Sequence, residues 1–494
     1  MDFKIPEIIS KTAQVLKDAG FETYLVGGCV RDLLMENPPA GGPKDWDITT
    51  NAKPEEIQKL FPKTVYENKF GTVAVITDAD DPSLKIIEIT PYRLEAKYSD
   101  KRHPDEVRFT RNIEDDLKRR DFTINALALS VVEGMDNKLI DLFNGQKDIK
   151  DKIIRTVGNP KERFDEDALR IIRAIRFAAE LGWKVARETQ EAIKKQAHLL
   201  EMISKERIRD EFIKIIMSDR PSIGFEMMRE FGVLKYILPE LEEGYGVKQN
   251  KDHLYPVWEH NLKALDHAAD KNWPLEVRIA SLLHDVGKPA SRQWSKEKKD
   301  YTFYGHEIIG AKMAIRALSR LKFSKKTIEL VAKLIRYHMF FSDTEKITLS
   351  AVRRTVRNVG PENVWDLMKV RFSDRIGMGK PKETPYRLRK YESMIDEALR
   401  QPLSVGMLKI DGNKIIELLH VKPGPKIGQI LHILLEEVLD EPARNTEEWL
   451  EKRAKELNAL PEKEMEKLGK KAKETKEEVE KKEIEEIRKK WYVK

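Results

Sequence analysis

The chain has 494 residues, of which 40% are apolar and 35% charged, and its 91 basic and 84 acidic side chains leave a formal net charge of +7. Apolar residues recur in helical and strand patterns, which excludes a largely disordered protein, and no apolar run approaches the roughly 18 residues of a membrane span. The single cysteine, Cys29, excludes an intrachain disulfide and a multi-cysteine zinc site. We therefore expect roughly three domains in a cytoplasmic protein with no signal peptide and no membrane partner.

The first 145 residues alternate between short β-rich runs and helical stretches, and the later residues follow a helical period. Runs of β-forming residues bounded by Gly, Pro or Asp predict strands at 24–26, 46–49, 72–76 and 85–89. From Asp165 onward the apolar spacing predicts helices, the first of which stops at Gly182. We therefore predict an α+β protein whose sheet lies in the first part and whose remainder is almost wholly helical.

Paired glycines and paired aspartates follow the first two predicted strands. Gly27 and Gly28 allow backbone N–H groups to approach a phosphate without a Cβ in the way, although most paired glycines are plain turns. Asp45 and Asp47 are two residues apart, so on a strand their carboxylates converge, which is costly unless a cation lies between them. Oxygen ligands at this spacing suit Mg²⁺, whereas a pair of surface acids in a turn is the alternative.

Glu88 interrupts an apolar run of three isoleucines. A carboxylate buried there without a partner would be costly, and alternation allows Glu88 to share a sheet face with Asp45 and Asp47. Three carboxylates beside a glycine turn would suit metal-assisted phosphoryl or nucleotidyl transfer. An outward-facing glutamate on an edge strand is the alternative.

Four motifs in succession resemble those of class II tRNA nucleotidyltransferases, the CCA-adding enzymes, and bacterial poly(A) polymerases share much of the set. They are Leu25-Val26-Gly27-Gly28 with Val30-Arg31-Asp32, Lys44-Asp45-Trp46-Asp47-Ile48-Thr49, Arg119-Arg120-Asp121-Phe122-Thr123-Ile124-Asn125-Ala126, and Glu166-Asp167-Ala168-Leu169-Arg170. The resemblance implies a nucleotidyltransferase head with a mixed sheet, followed by a helical neck and body. Residues 35–43 depart from the shorter link usual in the family, which predicts an altered surface loop.

The resemblance also implies roles for individual residues. Asp45, Asp47 and Glu88 would be catalytic, with the two aspartates holding Mg²⁺. Asp167 and Arg170 would share a helix face and read the edge of an incoming C or A in place of a template, with an ordinary intrahelical salt bridge as the alternative. The full set of implied nucleotide-binding residues is Gly27, Gly28, Arg31, Arg119, Arg120, Asp121, Asn125, Asp167, Arg170 and Arg173.

A loop at 93–111 resembles the family's flexible loop, which is associated with the switch from adding C to adding A. A complete loop argues against an enzyme that adds only the two C residues. The resemblance therefore favours addition of the whole CCA end.

A second constellation lies in later helical segments and consists of His260, His284, Asp285, His306, His338 and Asp374. The stretch 282–288 resembles the signature of HD-domain phosphohydrolases. Imidazoles and carboxylates from several helices suit Mg²⁺, Mn²⁺ or Ni²⁺, where an activated water would attack a phosphate ester. A metal held for structure alone is the alternative, and His253 and His267 fall outside the pattern.

These observations predict template-independent addition of CCA to the 3′ end of tRNA from CTP and ATP. A poly(A) polymerase or A-adding enzyme is one alternative, and an HD phosphohydrolase with an RNA-binding head is another, although the Asp45 and Asp47 pair speaks against a head that only binds. The predicted domains are a head at 1–145, a neck and body at 146–250, an HD domain at 251–380, a helical tail at 381–450 and a charged helical segment at 451–494.

Overall fold

The computed structural model describes residues 3–36, 42–43, 45–66, 71–96, 106–131, 138–340, 347–399, 405–461, 464–465, 467–468, 481 and 484–493. They form two compact units. The first is Met1–His338 with Lys369–Pro381, and the second is Met339–Met368 with Lys382–Lys494. None of the helices in the described ranges combines the length and apolar composition that a membrane crossing requires.

The first unit opens with a seven-stranded sheet and a separate two-stranded pair. The strands of this region are β1 (Thr23–Val26), β2 (Asp47–Thr50), β3 (Thr64–Tyr66), β4 (Val73–Ile76), β5 (Ile86–Pro91), β6 (Arg93–Ala96), β7 (Glu106–Phe109), β8 (Leu127–Leu129) and β9 (Leu139–Asp141). The seven-stranded sheet has the order β3-β4-β5-β2-β1-β8-β9, and β6 pairs with β7. In the large sheet the β2–β5 pair is parallel and the other pairs are antiparallel, which confirms the predicted mixed sheet.

Apolar residues of the central strands build the core beneath the sheet. Leu25, Ile48 and Ile89 are fully buried, as their alternation with more polar neighbours requires. The same alternation leaves Asp47 and Glu88 on the opposite face. The helices around this sheet are α1 (Glu7–Asp18), α2 (Gly28–Leu34), α3 (Pro54–Leu60), α4 (Ile113–Lys118) and α5 (Gly145–Asp151).

The rest of the first unit is mainly helical, with two short β additions. A parallel pair joins β10 (Ile153–Ile154) to β11 (Lys184–Val185), and an antiparallel hairpin joins β12 (Gln293–Ser295) to β13 (Asp300–Thr302). The helices are α6 (Pro160–Glu166), α7 (Leu169–Leu181), α8 (Arg187–Gln196), α9 (Lys205–Met217), α10 (Pro221–Glu230), α11 (Leu234–Ile237), α12 (Pro239–Glu242), α13 (Val257–Asp270), α14 (Leu275–Leu283), α15 (Lys288–Ser291), α16 (His306–Arg320) and α17 (Lys325–Tyr337).

Helix α7 is the buried centre of this helical part. Its residues are apolar on most sides, and Phe177 packs edge to face against Phe122 at 5.6 Å between ring centroids. The helix ends where predicted, because Gly182 adopts a left-handed φ of +67° that other residues rarely take.

The second unit is mainly helical, and its C-terminal helices pack around an apolar cluster in which Ile415, Leu434 and Leu450 are fully buried. Helix α19 begins in this unit, and its C-terminal part belongs to the first. The helices are α18 (Leu349–Val359), α19 (Val364–Gly377), α20 (Tyr386–Leu399), α21 (Gly412–Leu419), α22 (Pro425–Asp440) and α23 (Glu447–Asn458).

Candidate functional site

A glycine turn brings the end of β1 against the carboxylate of Asp47. Gly27 has φ +79°, and a Cβ there would lie 3.2 Å from Asp47 Oδ2 and 3.5 Å from Arg120 Nη1. Both the backbone conformation and the space therefore favour glycine. Gly28 begins α2 immediately afterwards, so the two predicted glycines form the rim of the acidic site.

The acidic residues meet on neighbouring strands. Asp47 and Glu88 are register partners in the parallel β2–β5 pair, so their side chains point to the same face. Asp45 precedes β2 and is exposed. Strand β5 lies between β4 and β2, so Glu88 is not on an edge strand, although its side chain is exposed as the alternative expected.

The electrostatics of this face favour a cation. Burial raises the pKa of Asp47 above its ordinary value; Arg120 opposes the rise and Asp45 adds to it. Burial also raises the pKa of the nearby Asp32, with Asp45 again adding to the effect. An all-oxygen donor set under mutual repulsion fits a divalent cation of the Mg²⁺ type.

Asp116 holds the two predicted phosphate-binding arginines. Its carboxylate is fully buried and lies 2.5 Å from Arg119 Nη2 and 3.0 Å from Arg120 Nη2. Burial alone would raise the pKa of Asp116, but the two guanidinium groups outweigh it and hold the pKa below its usual value. Asp116 was not among the predicted site residues, although its spacing of three and four residues from the two arginines signals both contacts.

The remaining predicted nucleotide contacts gather around the ring of Phe177. Arg173 pairs with Asp121 at 2.6 Å, and Arg31 donates to Asn125 Oδ1 at 3.1 Å. The guanidinium carbons of Arg31 and Arg173 lie 5.5 and 5.4 Å from the ring centroid. The structure therefore brings Asp121, Asn125, Arg31 and Arg173 together beside α7.

The predicted shared helix face of Asp167 and Arg170 is wrong. Asp167 has φ −141° and ψ 103°, so it separates α6 from α7 and does not continue a helix. Its carboxylate accepts two hydrogen bonds from Arg207 and one from the backbone N–H of Leu169. Arg170 instead donates to Glu166 Oε2 at 2.5 Å, so the alternative of a bridge from Asp167 to Arg170 is wrong as well.

The six predicted HD residues converge in the first unit. Asp285 lies between two groups of ligands. Its Oδ2 is 3.0 Å from His260 Nε2 and 3.3 Å from His284 Nε2, and its Oδ1 is 3.2 Å from His306 Nε2 and 3.8 Å from His338 Nε2. A carboxylate with one oxygen toward each pair suits a bridge between two metal ions.

The same cluster includes Asp374, whose Oδ1 lies 3.4 Å from His260 Nε2 and 3.6 Å from His284 Nε2. Its other oxygen pairs with Arg371. Burial opposes protonation of His284, but Asp285 and Asp374 outweigh it and raise the pKa of His284 to about 10. The two carboxylates therefore favour positive charge at this point, which fits a divalent metal.

Backbone carbonyls orient three of the histidines. The Nδ1 atoms of His284, His306 and His338 lie 2.8, 2.7 and 2.7 Å from carbonyl oxygens, and donation there leaves each Nε2 for a metal. Burial lowers the pKa of His338 to about 3, so its ring is neutral. The carbonyl partners are Ser281, Phe303 and Ile335.

His253 lies beside this cluster although the sequence pattern left it without a role. It belongs to a group with His260, Asp285 and Asp374 whose ligand atoms all lie within 4.8 Å of one another. Lys288, also missed, contacts Asp285 Oδ2 at 2.5 Å. No helical period marks residue 253, so spacing alone carried no signal for it.

Three predicted features lie partly outside the described residues. Lys44 of the aspartate motif is one. The others are 97–105 of the predicted flexible loop and 37–41 of the stretch that departs from the family pattern.

Comparison with known families gives three matches along the chain. Residues 23–155 match the Poly A polymerase head domain, residues 182–244 match the probable RNA and SrmB-binding site of polymerase A, and residues 257–397 match the HD domain. The CCA-adding enzyme of Ligilactobacillus salivarius is 34% identical over 458 residues, which cover 92% of this chain and 98% of that protein. The chain belongs to the CCA-adding enzymes. Membership in this family confirms the predicted nucleotidyltransferase and favours it over the poly(A) alternative.

Further relatives of this CCA-adding enzyme agree in sequence and fold. The CCA-adding enzyme of Bacillus cytotoxicus is 32% identical and covers 90% of this chain and 97% of that protein. The crystal structure of the Bacillus stearothermophilus enzyme in complex with CTP is 27% identical, with a TM-score of 0.59 over 92% of this chain and 98% of that one. The Thermotoga maritima enzyme complexed with tRNA is 22% identical with a TM-score of 0.50, and it supports the fold alone.

Proposed function

We propose that this chain completes the 3′ CCA end of tRNA by transferring nucleotides from CTP and ATP in the cytoplasm. The observation that carries the proposal is the alignment of Asp47 with Glu88 across β2–β5, next to the Gly27 turn and Arg120. A head that only bound RNA would have no use for converging carboxylates beside guanidinium groups. The relatives named as CCA-adding enzymes over nearly their whole length support the same activity.

Asp45 and Asp47 would hold Mg²⁺, and Glu88 would complete the carboxylate face. When bound, Mg²⁺ lowers the pKa of the attacking hydroxyl and stabilises charge on the reacting phosphate. The Gly27 turn lets phosphates approach the backbone. Arg120 points toward the same place, since it lies near both Gly27 and Asp47.

Arg119 and Arg120 would bind the triphosphate while Asp116 fixes their orientation. Guanidinium groups match phosphate geometry, and their shared buried anchor limits their freedom before the substrate arrives. Asp121 would accept from ribose hydroxyls, with Arg173 holding its carboxylate. Arg31 and Asn125, hydrogen-bonded to each other, would complete the sugar side of the site.

Asp167 and Arg170 would select the base from adjacent segments. A carboxylate can accept from the exocyclic amino group of C or A, and a guanidinium can donate to a ring nitrogen or carbonyl. In this arrangement Arg207 orients Asp167 and Glu166 orients Arg170, so each proposed base-contacting side chain is fixed by a partner of its own.

We also propose that the HD cluster binds one or two divalent ions, Mg²⁺, Mn²⁺ or Ni²⁺, and hydrolyses a phosphate ester. The position of Asp285, with one carboxylate oxygen toward His260 and the other toward His306, supports this second function. For the chain as a whole we propose the head at 1–145, the neck and body at 146–250, the HD domain at 251–380, the tail at 381–450 and the charged segment at 451–494.

The deciding experiment uses the full chain and a tRNA transcript that lacks CCA. Incubation with CTP alone, ATP alone, and both together distinguishes the activities by product length. Addition of two C residues followed by one A supports the proposal. A long A tract made from ATP alone would contradict it in favour of poly(A) synthesis.

A further inference from the structure

The β12–β13 hairpin presents an aromatic pair to solvent. Its register places Trp294 opposite Tyr301, and the two rings meet edge to face with 5.1 Å between centroids. The guanidinium carbon of Arg292 lies 3.6 Å from the centroid of Tyr301 and covers that ring. Trp294 nevertheless remains 56% exposed, so the pair leaves much of the indole surface open to another molecule.

A second exposed ring follows the hairpin directly. Tyr304 is 73% exposed, and Lys298 from the turn donates to its hydroxyl at 2.8 Å. Tyr304 lies beyond the β13 ladder, so cross-strand pairing does not account for it. Each exposed ring therefore has a cation nearby. Lys298 contacts Tyr304 directly, and Arg292 covers Tyr301, which packs against Trp294.

In the segment 292–304, basic side chains outnumber acidic ones, and one of the acidic side chains is already hydrogen-bonded. The segment has four basic residues and two acidic ones. Asp300 is already engaged, because its carboxylate accepts from the backbone N–H groups of Lys251 and Tyr301. Lys296, Lys298 and Lys299 are exposed at the turn, so the hairpin presents mainly positive charge.

We propose that this hairpin binds single-stranded RNA. Unpaired bases stack on exposed aromatic rings, and nearby lysines and arginines contact the phosphates, which is the usual chemistry of single-strand recognition. The combination favours RNA over a protein partner, because the segment that carries the exposed rings has three exposed lysines and one exposed carboxylate, Glu297. The inference does not depend on nucleotide addition at Asp47 or on hydrolysis at the HD cluster.

The hairpin lies next to the HD cluster along the chain and in space. Phe303, which follows β13, provides the carbonyl that accepts from His306 Nδ1, and the Nζ of Lys288 lies 5.7 Å from the Phe303 ring centroid. Lys251, which donates to Asp300, belongs to the same loop as His253. RNA held on the hairpin is therefore bound beside the second metal site, far along the chain from the acidic face of the head.

The test uses the full chain in EDTA, so that neither transfer nor hydrolysis takes place, with an unstructured oligouridylate that carries photoreactive thiouridine. Trp294→Val places a β-branched residue, which favours strands, in the ladder and removes the stacking surface, and Tyr304→Ala removes the second ring. Each variant should bind the oligouridylate about fivefold or more weakly, the scale of one lost base stack. Cross-links in the wild type should fall within 292–304, and Trp294→Phe should restore binding.

The matched control is Tyr386→Ala, which removes an exposed ring of the second unit and should bind like the wild type. An unchanged midpoint of thermal unfolding checks that the variants fold. Wild-type affinity in both hairpin variants, or cross-links confined to other segments, would overturn the proposal. Addition of CCA to tRNA is measured in parallel, and loss of oligouridylate binding with addition retained separates this site from the head.

Discussion

Arg207 donates two hydrogen bonds to the carboxylate of Asp167, from Nη1 at 3.2 Å and from Nη2 at 2.6 Å. The two residues are 40 positions apart, and the bond joins the start of α9 to the break between α6 and α7. A bidentate guanidinium fixes both oxygens of a carboxylate in one plane. The orientation of Asp167, which we propose reads the base, is therefore set by a side chain of α9.

Replacing Arg207 with Met keeps an unbranched side chain and removes both hydrogen bonds. Asp167 then loses its fixed orientation, and the preference for CTP and ATP over UTP and GTP should fall by about tenfold, since one good bidentate contact is worth about 1–3 kcal/mol. The measurement is kcat/KM for each nucleotide with a tRNA primer.

Arg209→Met is the control for this prediction, because Arg209 lies on the same helix and pairs with the exposed Asp210. It should leave base preference unchanged. An Arg207→Met enzyme that slows equally with all four nucleotides would assign Arg207 a purely structural role.

The acidic face predicts a separate loss of chemistry. Asp45→Asn or Asp47→Asn should lower nucleotide addition by at least about 100-fold, because metal-assisted charge stabilisation is worth several kcal/mol. Binding of tRNA should stay within about twofold, since basic side chains elsewhere meet its phosphates. Quench-flow addition assays and filter binding measure the two quantities.

Asp78→Asn is the control, because Asp78 pairs with Lys63 at an exposed position. Full activity in this variant shows that neutralising one head carboxylate is harmless in general. Near-normal addition by both Asp45→Asn and Asp47→Asn would remove the metal-binding assignment.

The sequence predicts those parts of the site that depend on interactions between residues close together in the chain. Asp47 and Glu88 could be placed on one face because strand alternation has a period of two and both lie in short β-rich runs. Asp116 was within reach too, because Arg119 and Arg120 follow it at helical spacing. These are local rules, and they hold here.

The break at Asp167 could not be predicted in the same way. Residues 165–177 have a continuous helical period, and the interruption is stabilised by Arg207, which no local pattern connects to it. Asp167 does accept from the backbone N–H of Leu169 at the start of α7, so an aspartate ahead of an apolar run was a weak hint. The place of His253 beside His260 likewise depends on a loop whose path the composition does not determine.

The HD cluster is expected to bind metal independently of the head. His284→Ala removes an Nε2 that faces both Asp285 and Asp374, so bound divalent metal should drop by at least one equivalent per cluster and any phosphoesterase activity should disappear. Metal analysis of the dialysed protein gives the first quantity. CCA addition should stay within about twofold, because the metal that we propose for the head would be held by the head's own carboxylates.

His432→Ala controls for the loss of a histidine, since His432 is exposed in the second unit. It should retain all of the metal. If His284→Ala abolished CCA addition in a folded protein, the independence of the two sites would be refuted.

Asp116→Asn tests the buried anchor of the arginines. Without the charge, Arg119 and Arg120 lose a paired partner, which costs about 3 kcal/mol on the scale of broken buried pairs. The midpoint of thermal unfolding should fall, and KM for CTP and ATP should rise by about tenfold as the arginines lose orientation. Glu114→Gln, at an exposed position of the same helix, should change neither value. An unchanged KM in Asp116→Asn would limit the anchor to stability.

Glu392 in the second unit predicts a pH dependence of stability. Its side chain is only 5% exposed, and its Oε2 has no hydrogen-bond partner among the described residues. Burial raises the pKa of Glu392 to about 7 from an ordinary 4.5. The carboxylates of Glu383 and, more weakly, Asp396 add to the rise, whereas the cations Arg389 and, more weakly, Lys490 oppose it.

The sign of the effect follows from this raised pKa. As pH rises between the ordinary and the folded value, the unfolded chain releases its proton while the folded one keeps it, so the free energy of unfolding falls through this window and levels off above about pH 7. Glu392→Gln removes the titration and should be more stable than the wild type by up to about 3 kcal/mol above that pH. Thermal unfolding measured from about pH 5 to 8 should show that the difference in stability between Glu392→Gln and the wild type grows and then becomes constant. The control is Glu448→Gln, at an exposed position of α23, which should be as stable as the wild type at every pH. Parallel curves for Glu392→Gln and the wild type would show that the carboxylate is ionised in the folded chain throughout this range.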